Sequence, residues 1–285
     1  MADISASDVK KLREKTGAGP MECKKALQDS DGDFDKAEKL LKEKGLAAVE
    51  KRAGRATNEG KIFVKVKDDG SSAVLVELAS ETDFVARNPE FIELGGKVVE
   101  LVLEKGYTEP NEELSGMVTA LATKIRENMS LKRLKAVKAA PNEYLTSYIH
   151  GDGAIGVVVK LAADKDEAIQ NAEVKALAFN LALHIAAFNP AALDRTRVDP
   201  ACLKEQEEIF RKQMELDESL SKKPANVIDN ILKGKVNKYL QEICLLEQGY
   251  VKDEKLTVEK VLAETGKQVG AKLSVADYVY FKVGG

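Results

Sequence analysis

The sequence has few cysteines and histidines, and it lacks the motifs that carry covalent chemistry. Its three cysteines, Cys23, Cys202 and Cys244, form no C-x-x-C pair, which excludes a disulfide framework and a cysteine zinc site. The two histidines, His150 and His184, lie on different predicted elements, so neither a multi-histidine metal site nor a catalytic triad is expected. No phosphate loop of the G-x-x-x-x-G-K-[S/T] type and no G-x-G-x-x-G motif occurs. We therefore expect no covalent chemistry, no metal and no cofactor.

Long apolar runs and an excess of positive charge are also missing. With 44 Lys and Arg against 47 Asp and Glu, the net charge is −3, which argues against non-specific nucleic-acid binding because that requires a basic face. No apolar run reaches the length of a membrane span, and the first residues lack the basic and apolar regions of a signal peptide. The expectation is a cytoplasmic protein that binds neither membranes nor nucleic acids.

The most informative stretch, residues 80–89, joins a predicted strand to a predicted helix. Alternating apolar residues over 73–79 predict the strand, and an apolar stripe from Phe91 onward predicts the helix. Asn88 can cap this helix, with a proline in its first turn. Because phenylalanine is usually buried, the local pattern by itself favours Phe84 and its neighbour Val85 in the core, with the preceding aspartate capping a turn.

A weak internal repeat changes that interpretation. Residues 70–94 align with residues 153–177 at a constant offset of 83, and the glycines, strand valines and helix residues match. We call residues 82–86 the first corner and residues 165–169 the second corner. Where the first begins Thr-Asp-Phe-Val, the second begins Lys-Asp-Glu-Ala. Because the scaffold tolerates a polar corner in one copy, the apolar corner of the other is predicted to be a contact surface.

The predicted elements indicate an α+β fold with a duplicated core of small antiparallel sheets and helices. Gly45 is predicted to end the third helix of an N-terminal bundle, and coiled-coil spacing predicts a helical hairpin whose first arm runs from 200 to about 220. The predicted domains are a three-helix domain at 1–45, a charged linker at 46–60, a first core half at 61–140 and a second core half at 141–285, which includes the hairpin at 200–244.

The two histidines are predicted to differ in exposure. His184 lies in a predicted helix, 172–188, that is apolar nearly all round and should therefore be buried. A packed histidine with one hydrogen-bond partner is expected there. His150 adjoins the Gly-Asp-Gly turn of a predicted hairpin, so it should be exposed and accessible to a partner.

Two motifs closely resemble the signatures of the bacterial elongation factor Ts family. The first is Leu-Arg-Glu-Lys-Thr-Gly-Ala-Gly at 12–19, followed by Met-Glu-Cys-Lys-Lys-Ala-Leu at 21–27, and the second is Thr-Asp-Phe-Val-Ala at 82–86. The resemblance covers nearly the whole chain, through Lys124-Ile125 with Glu127-Asn128, His150-Gly151, Ile155-Gly156 and 227–235. It implies a ubiquitin-associated-like N-terminal bundle, a duplicated core and a coiled-coil hairpin module.

The resemblance implies a guanine-nucleotide exchange factor for elongation factor Tu, the GTPase that carries aminoacyl-tRNA. Such a protein would bind the GDP form, disturb its magnesium and phosphate site and promote GDP release so that GTP can bind. It would not be an enzyme with covalent chemistry, and it would need no cofactor and bind no nucleotide, nucleic acid or membrane directly. A homodimer, which would give a two-plus-two complex, stays open.

The resemblance also implies which residues contact the GTPase. The residues expected near its magnesium site are Thr82, Asp83, Phe84 and Val85. The other implied contacts are Arg13, Met21, Lys24, Ile125, His150 and Val251. Two alternative functions stay open: an adaptor that binds ubiquitin-like domains through the N-terminal bundle, and a structural coiled-coil protein. Neither explains why only one copy of the repeat carries the Asp-Phe pair.

Overall fold

The computed structural model describes residues 4–217, 220 and 224–285. These residues form an α+β fold, as expected. The helices are α1 Ala6–Thr16, α2 Pro20–Asp29, α3 Phe34–Arg52, α4 Asp83–Ala86, α5 Pro89–Lys105, α6 Glu112–Ile125, α7 Ala172–Phe188, α8 Pro200–Glu215, α9 Ala225–Ile243 and α10 Val258–Val269, with 3-10 helices at Asp166–Gln170, Arg195–Arg197 and Leu245–Glu247. The strands are β1 Glu59–Val66, β2 Ser72–Ser80, β3 Met129–Lys138, β4 Glu143–His150, β5 Ile155–Ala163, β6 Gly249–Tyr250, β7 Asp253–Thr257 and β8 Leu273–Lys282.

Two three-stranded antiparallel sheets form the body of the molecule, in the orders β1-β2-β3 and β4-β5-β8. Each sheet buries one face against its own helices, α5 and α6 in the first half and α7 and α10 in the second. The opposite faces bury apolar side chains against each other, since strand residues alternate between the two faces. Gly156 permits this close approach, because a Cβ there would lie 2.4 Å from Cγ2 of Ile62.

The internal repeat of the sequence is confirmed by the structure. Strand β2 and helix α5 correspond to β5 and α7 at the same offset of 83 residues. Both central strands also carry an irregularity at equivalent points, between Glu77 and Leu78 and between Lys160 and Leu161. The third strands, β3 and β8, each have 10 residues and follow α6 and α10. The two halves are therefore two copies of one arrangement.

The prediction that Gly45 ends the third helix was wrong, and so was a linker that begins at residue 46. Helix α3 continues to Arg52, because the residues after the glycine are mostly good helix formers. Gly45 lies where α3 crosses α6, and a Cβ at this position would lie 2.3 Å from Cγ2 of Thr123. The glycine therefore serves helix packing, and only residues 53–58 connect α3 to β1.

The first arm of the predicted helical hairpin is shorter than expected. Helix α8 ends at Glu215, and beyond it Leu216 is 85% exposed, so the described residues do not cover the apolar stripe at this point. The rings of Phe210 on α8 and Tyr239 on α9 lie 6.2 Å apart, so the two helices pack together. The connection between the two arms of the predicted hairpin lies mostly outside the described residues. Within the described ranges, no helix is long and apolar enough to cross a membrane.

Candidate partner-binding corner

The first corner is a single helical turn, α4, between the central strand β2 and helix α5. Thr82 caps the turn, and its hydroxyl oxygen accepts a hydrogen bond from the Val85 N–H at 3.4 Å. At the far end, the Asn88 N–H donates to the Val85 carbonyl at 2.9 Å, and the Asn88 side chain caps α5 through the Glu90 N–H at 2.8 Å. Hydrogen bonds therefore hold the backbone of the corner at both ends.

Two neighbouring apolar side chains of this turn lie in different environments. Val85 is buried in the core of the first half, whereas Phe84 is 80% exposed. Successive residues of a helical turn point about 100° apart, and in this turn Val85 and Ala86 take the directions that face the core, which leaves Phe84 toward solvent. The burial expected from the local pattern therefore holds for Val85 only. The cap is Thr82, while the carboxylate of Asp83 lies 3.2 Å from the guanidinium of Arg87.

Two carboxylates tie the corner to the loop that follows α6. Glu81 accepts hydrogen bonds from the backbone N–H of Asn128 at 2.6 Å and from the Arg55 guanidinium at 3.3 Å. The Asn128 N–H, followed by Arg55, lowers the pKa of Glu81. Glu127 accepts hydrogen bonds from the backbone N–H of Thr82 at 3.2 Å and from its hydroxyl at 3.0 Å. Glu127 belongs to one of the sequence motifs and Glu81 to the stretch 80–89, but the sequence did not predict their bracing role.

The β4–β5 hairpin lies beside the first corner. Lys61 on β1 forms an ion pair with Asp152 at the hairpin tip, with 2.7 Å between Nζ and Oδ2. This hydrogen-bonded ammonium lowers the pKa of Asp152, and the nearby charge of Arg87 adds to the effect. His150, at the end of β4, is exposed as predicted, and its Nδ1 lies 3.1 Å from the Tyr148 hydroxyl. The tip of the hairpin thus lies near Arg87, the residue that follows α4.

The N-terminal bundle presents three of the predicted contact residues to solvent. Met21, in the first turn of α2, is 76% exposed, and Arg13 and Lys24 are also exposed. The bundle is attached to the core by an ion pair between Glu22 and Arg126, the residue that ends α6. Three of the implied contacts are therefore accessible on a unit that docks close to the loop after α6.

The remaining two predicted contacts are half-buried. Ile125 packs against the core of the first half, and Val251 lies in the turn between β6 and β7. The N–H of Val251 donates to Nδ1 of His184 at 3.2 Å, so Nε2 carries the proton and donates to Oε1 of Gln248 at 2.9 Å. The buried His184 thus has two partners instead of the one expected from sequence, and burial lowers its pKa.

The described residues are an α+β protein that presents a braced aromatic corner to solvent, and they contain no group of three or more His, Cys, Asp or Glu placed to hold a metal. Residues 81–285 match the family model described as Elongation factor TS. The chain is 51% identical to elongation factor Ts of Treponema denticola, with 99% of each chain covered, and 45% identical to that of Treponema pallidum, also with 99% of each covered. Identity to elongation factor Ts of Clostridium acetobutylicum is 42%, over 99% of this chain and 92% of that protein. The chain therefore belongs to the elongation factor Ts family, which confirms the resemblance found in the sequence.

Proposed function

We propose that this protein binds elongation factor Tu in its GDP form, disturbs the magnesium and phosphate site of that GTPase and promotes GDP release so that GTP can bind. Membership of the elongation factor Ts family supports this function. The observation that carries the site is the exposure of Phe84 on a turn whose backbone is held at both ends. The reaction is an exchange of bound nucleotide in the cytoplasm, without covalent chemistry.

The mechanism proceeds through contact between protein surfaces. A GTPase holds GDP through loop amides, a lysine and a magnesium ion. Insertion of Phe84 between the elements that support this site would shift the backbone that holds the metal and phosphates. Burial of the ring supplies roughly 2–3 kcal/mol. Because the turn is already ordered in the free protein, little of this energy is lost to ordering the corner on binding.

Reciprocity follows from thermodynamic linkage. If the exchange factor weakens the binding of GDP, then GDP must weaken the binding of the exchange factor by the same factor. The protein therefore binds the nucleotide-free GTPase most tightly and dissociates when fresh nucleotide enters. This cycle requires no nucleotide site on the exchange factor itself.

The other proposed contacts extend the interface on both sides of Phe84. Within the corner, Thr82 and Asp83 join the contact. Val85, which the resemblance also implied as a contact, is buried in the core of the first half and would act by anchoring the turn. The wider contacts are Arg13, Met21, Lys24, Ile125, His150 and Val251. We also propose that the N-terminal bundle is ubiquitin-associated-like, that α8 and α9 form an antiparallel coiled-coil module, and that residues 61–140 and 141–285 are the two halves of the core. A homodimer would give a two-plus-two complex.

The first experiment measures release of a fluorescent GDP analogue from purified elongation factor Tu. The wild-type protein should accelerate release, and Phe84→Ala should lower the acceleration roughly thirtyfold or more, the size expected for a central aromatic anchor. Leu216→Ala serves as the matched control, because Leu216 is also highly exposed but lies at the end of α8. The control variant should act like the wild type.

The other outcomes distinguish an error in the proposed site from an error in the proposed function. Equal acceleration by the wild type and Phe84→Ala would show that other contacts drive exchange, at His150 or at the N-terminal bundle. No acceleration by the folded wild type would refute the exchange function. Neither alternative, the ubiquitin-like-domain adaptor or the structural coiled-coil protein, is favoured by an observation on this chain.

A further inference from the structure

Glu127 makes an unusual set of contacts with a single residue of the first corner. Its carboxylate accepts the backbone N–H of Thr82 at 3.2 Å and lies 3.0 and 3.1 Å from the Thr82 hydroxyl through its two oxygens. A hydroxyl has one hydrogen, which the carboxylate takes because it can only accept. The hydroxyl oxygen is then left to accept from the Val85 N–H. Glu127 therefore sets the orientation of the group that caps α4.

The capped turn is too short to hold its own direction. Helix α4 has four residues, and a single turn in isolation is unstable because its nucleation is costly. Its direction depends on its anchored ends, and at the start both the N–H and the carbonyl of Thr82 are held, the latter by the Ser80 hydroxyl at 2.9 Å. Because Phe84 lies between Thr82 and the buried Val85, these anchors decide where its ring points.

The second half shows which of these bonds the scaffold itself requires. Asp164 corresponds to Glu81, and its carboxylate accepts the backbone N–H of Lys272 at 2.7 Å, just as Glu81 accepts that of Asn128 at 2.6 Å. Lys272 and Asn128 each directly precede the third strand of their sheet. This carboxylate bond occurs in both halves, so it belongs to the common scaffold.

The bond from Glu127 has no counterpart in the second half. The equivalent position is Ala271, which has no polar side chain, and Lys165, the counterpart of Thr82, donates its ammonium to the Gly270 carbonyl at 2.5 Å. The second corner nevertheless forms a turn that buries Ala168 and Ile169. Such a corner can therefore fold without a carboxylate at this position.

We infer that Glu127 is a positioning residue for nucleotide exchange, which fixes Thr82 and thereby presents the ring of Phe84 to the GTPase. The inference rests on the proposed function and adds a residue that acts through another. It explains why the extra carboxylate occurs in the half that carries the exposed phenylalanine and is absent from the half that carries Glu167 at the equivalent place.

A double-mutant cycle tests this inference. Glu127→Ala should slow release of the GDP analogue about tenfold relative to the wild-type protein, within the range seen for residues coupled through one network. In the Phe84→Ala background the same substitution should cause no further loss, because the ring that it positions is gone. Thr82→Val, which removes the hydroxyl but keeps the backbone N–H that Glu127 accepts, should also slow release. Glu264→Ala, which removes an exposed carboxylate of α10, is the control and should keep the wild-type rate.

An additive loss in the double variant would overturn the inference, because Glu127 would then act independently of Phe84. A wild-type rate for Glu127→Ala would overturn it as well. A second readout needs no GTPase: Glu127→Ala should accelerate hydrogen exchange at the Thr82 and Val85 amides and leave residues 165–169 unchanged. Unchanged protection would refute the positioning role. If the wild type failed to accelerate GDP release from elongation factor Tu, the proposed function would fail, and amide protection would still decide the role of Glu127.

Discussion

The first and second corners hold equivalent places in the two halves of the molecule, at the end of the central strand and before the long helix. Both bury their fourth and fifth residues, and in both a carboxylate accepts a hydrogen bond from the residue that precedes the third strand. They differ at the second residue after the cap, where Phe84 stands in one and Glu167 in the other. The two halves thus share one scaffold, and the exposed aromatic side chain occurs in the first half only.

The two halves also differ in what joins their helices. In the first half residues 106–111 connect α5 to α6, whereas residues 189–257 separate α7 from α10 in the second and include α8 and α9. The added helices enter at a single connection and leave both three-stranded sheets with the same strand pairing. Because loops tolerate insertion far better than packed elements, the duplicated core could acquire this unit without losing its shape.

The largest expected effect comes from exchanging the differing residues of the two corners. Phe84→Glu should slow GDP-analogue release roughly thirtyfold or more. The ring that would be buried in the complex is lost, and a carboxylate must be desolvated at the interface. The free energy of unfolding should change by less than about 0.5 kcal/mol, since the position is exposed. Stopped-flow fluorescence and urea denaturation provide these two measurements.

The reverse substitution, Glu167→Phe, is the matched control and should leave the release rate unchanged. It should not restore activity to Phe84→Glu, because the second corner lacks the carboxylate that Glu127 supplies. Restored exchange in the double variant would show that the two corners are interchangeable, and the comparison drawn above would fail.

A smaller effect is expected on the pH dependence of stability. Only the second half has a titratable residue at this helix position, where His184 corresponds to Leu101 of the first half. Burial lowers the pKa of His184 below 6.5 in the folded protein, so the unfolded chain binds the extra proton more readily. Stability should be complete above about pH 6.5 and should fall as the pH drops from there to the lowered folded pKa, by at most about 1.4 kcal/mol per pH unit.

Urea denaturation at about pH 7.5 and about pH 5.5 measures this loss of stability. His184→Gln should bring the free energies of unfolding at the two pH values closer together. His150→Gln should leave their difference as in the wild type, because His150 is exposed. An equal free energy of unfolding at both pH values in the wild type would contradict the prediction.

The smallest effect compares the residues that end α6 and α10. Arg126 and Gly270 both adopt left-handed backbone, with φ of 68° and 67°. Gly270→Ala should cost about 1 kcal/mol of stability, because a side chain at this left-handed position strains the backbone. No steric clash adds to this cost, since the added Cβ would meet open space. Arg126→Gly should change stability less, since it relieves strain and removes the ion pair with Glu22. Chemical denaturation measures both, and a Gly270→Ala variant as stable as the wild type would contradict the strain argument.

The sequence predicted the repeated framework because its signals are local. The alternation of β2 and β5 and the caps Asn88 and Asn171 depend on residues within a few positions of each other. Gly45 was misread because a glycine at a helix end and one at a helix crossing look alike in sequence. What distinguishes them is the contact with Thr123, which lies on a distant helix.

Local patterns and motifs thus determined the α+β class, the duplication, most helix and strand positions and the family of this protein. Tertiary structure alone decided that Val85 faces the core while Phe84 faces solvent, and that Glu127 reaches Thr82. The physical reason is the range of the forces involved. Caps and strand alternation are settled among neighbours in the chain, whereas the direction of a four-residue turn depends on hydrogen bonds and packing with segments far away in sequence.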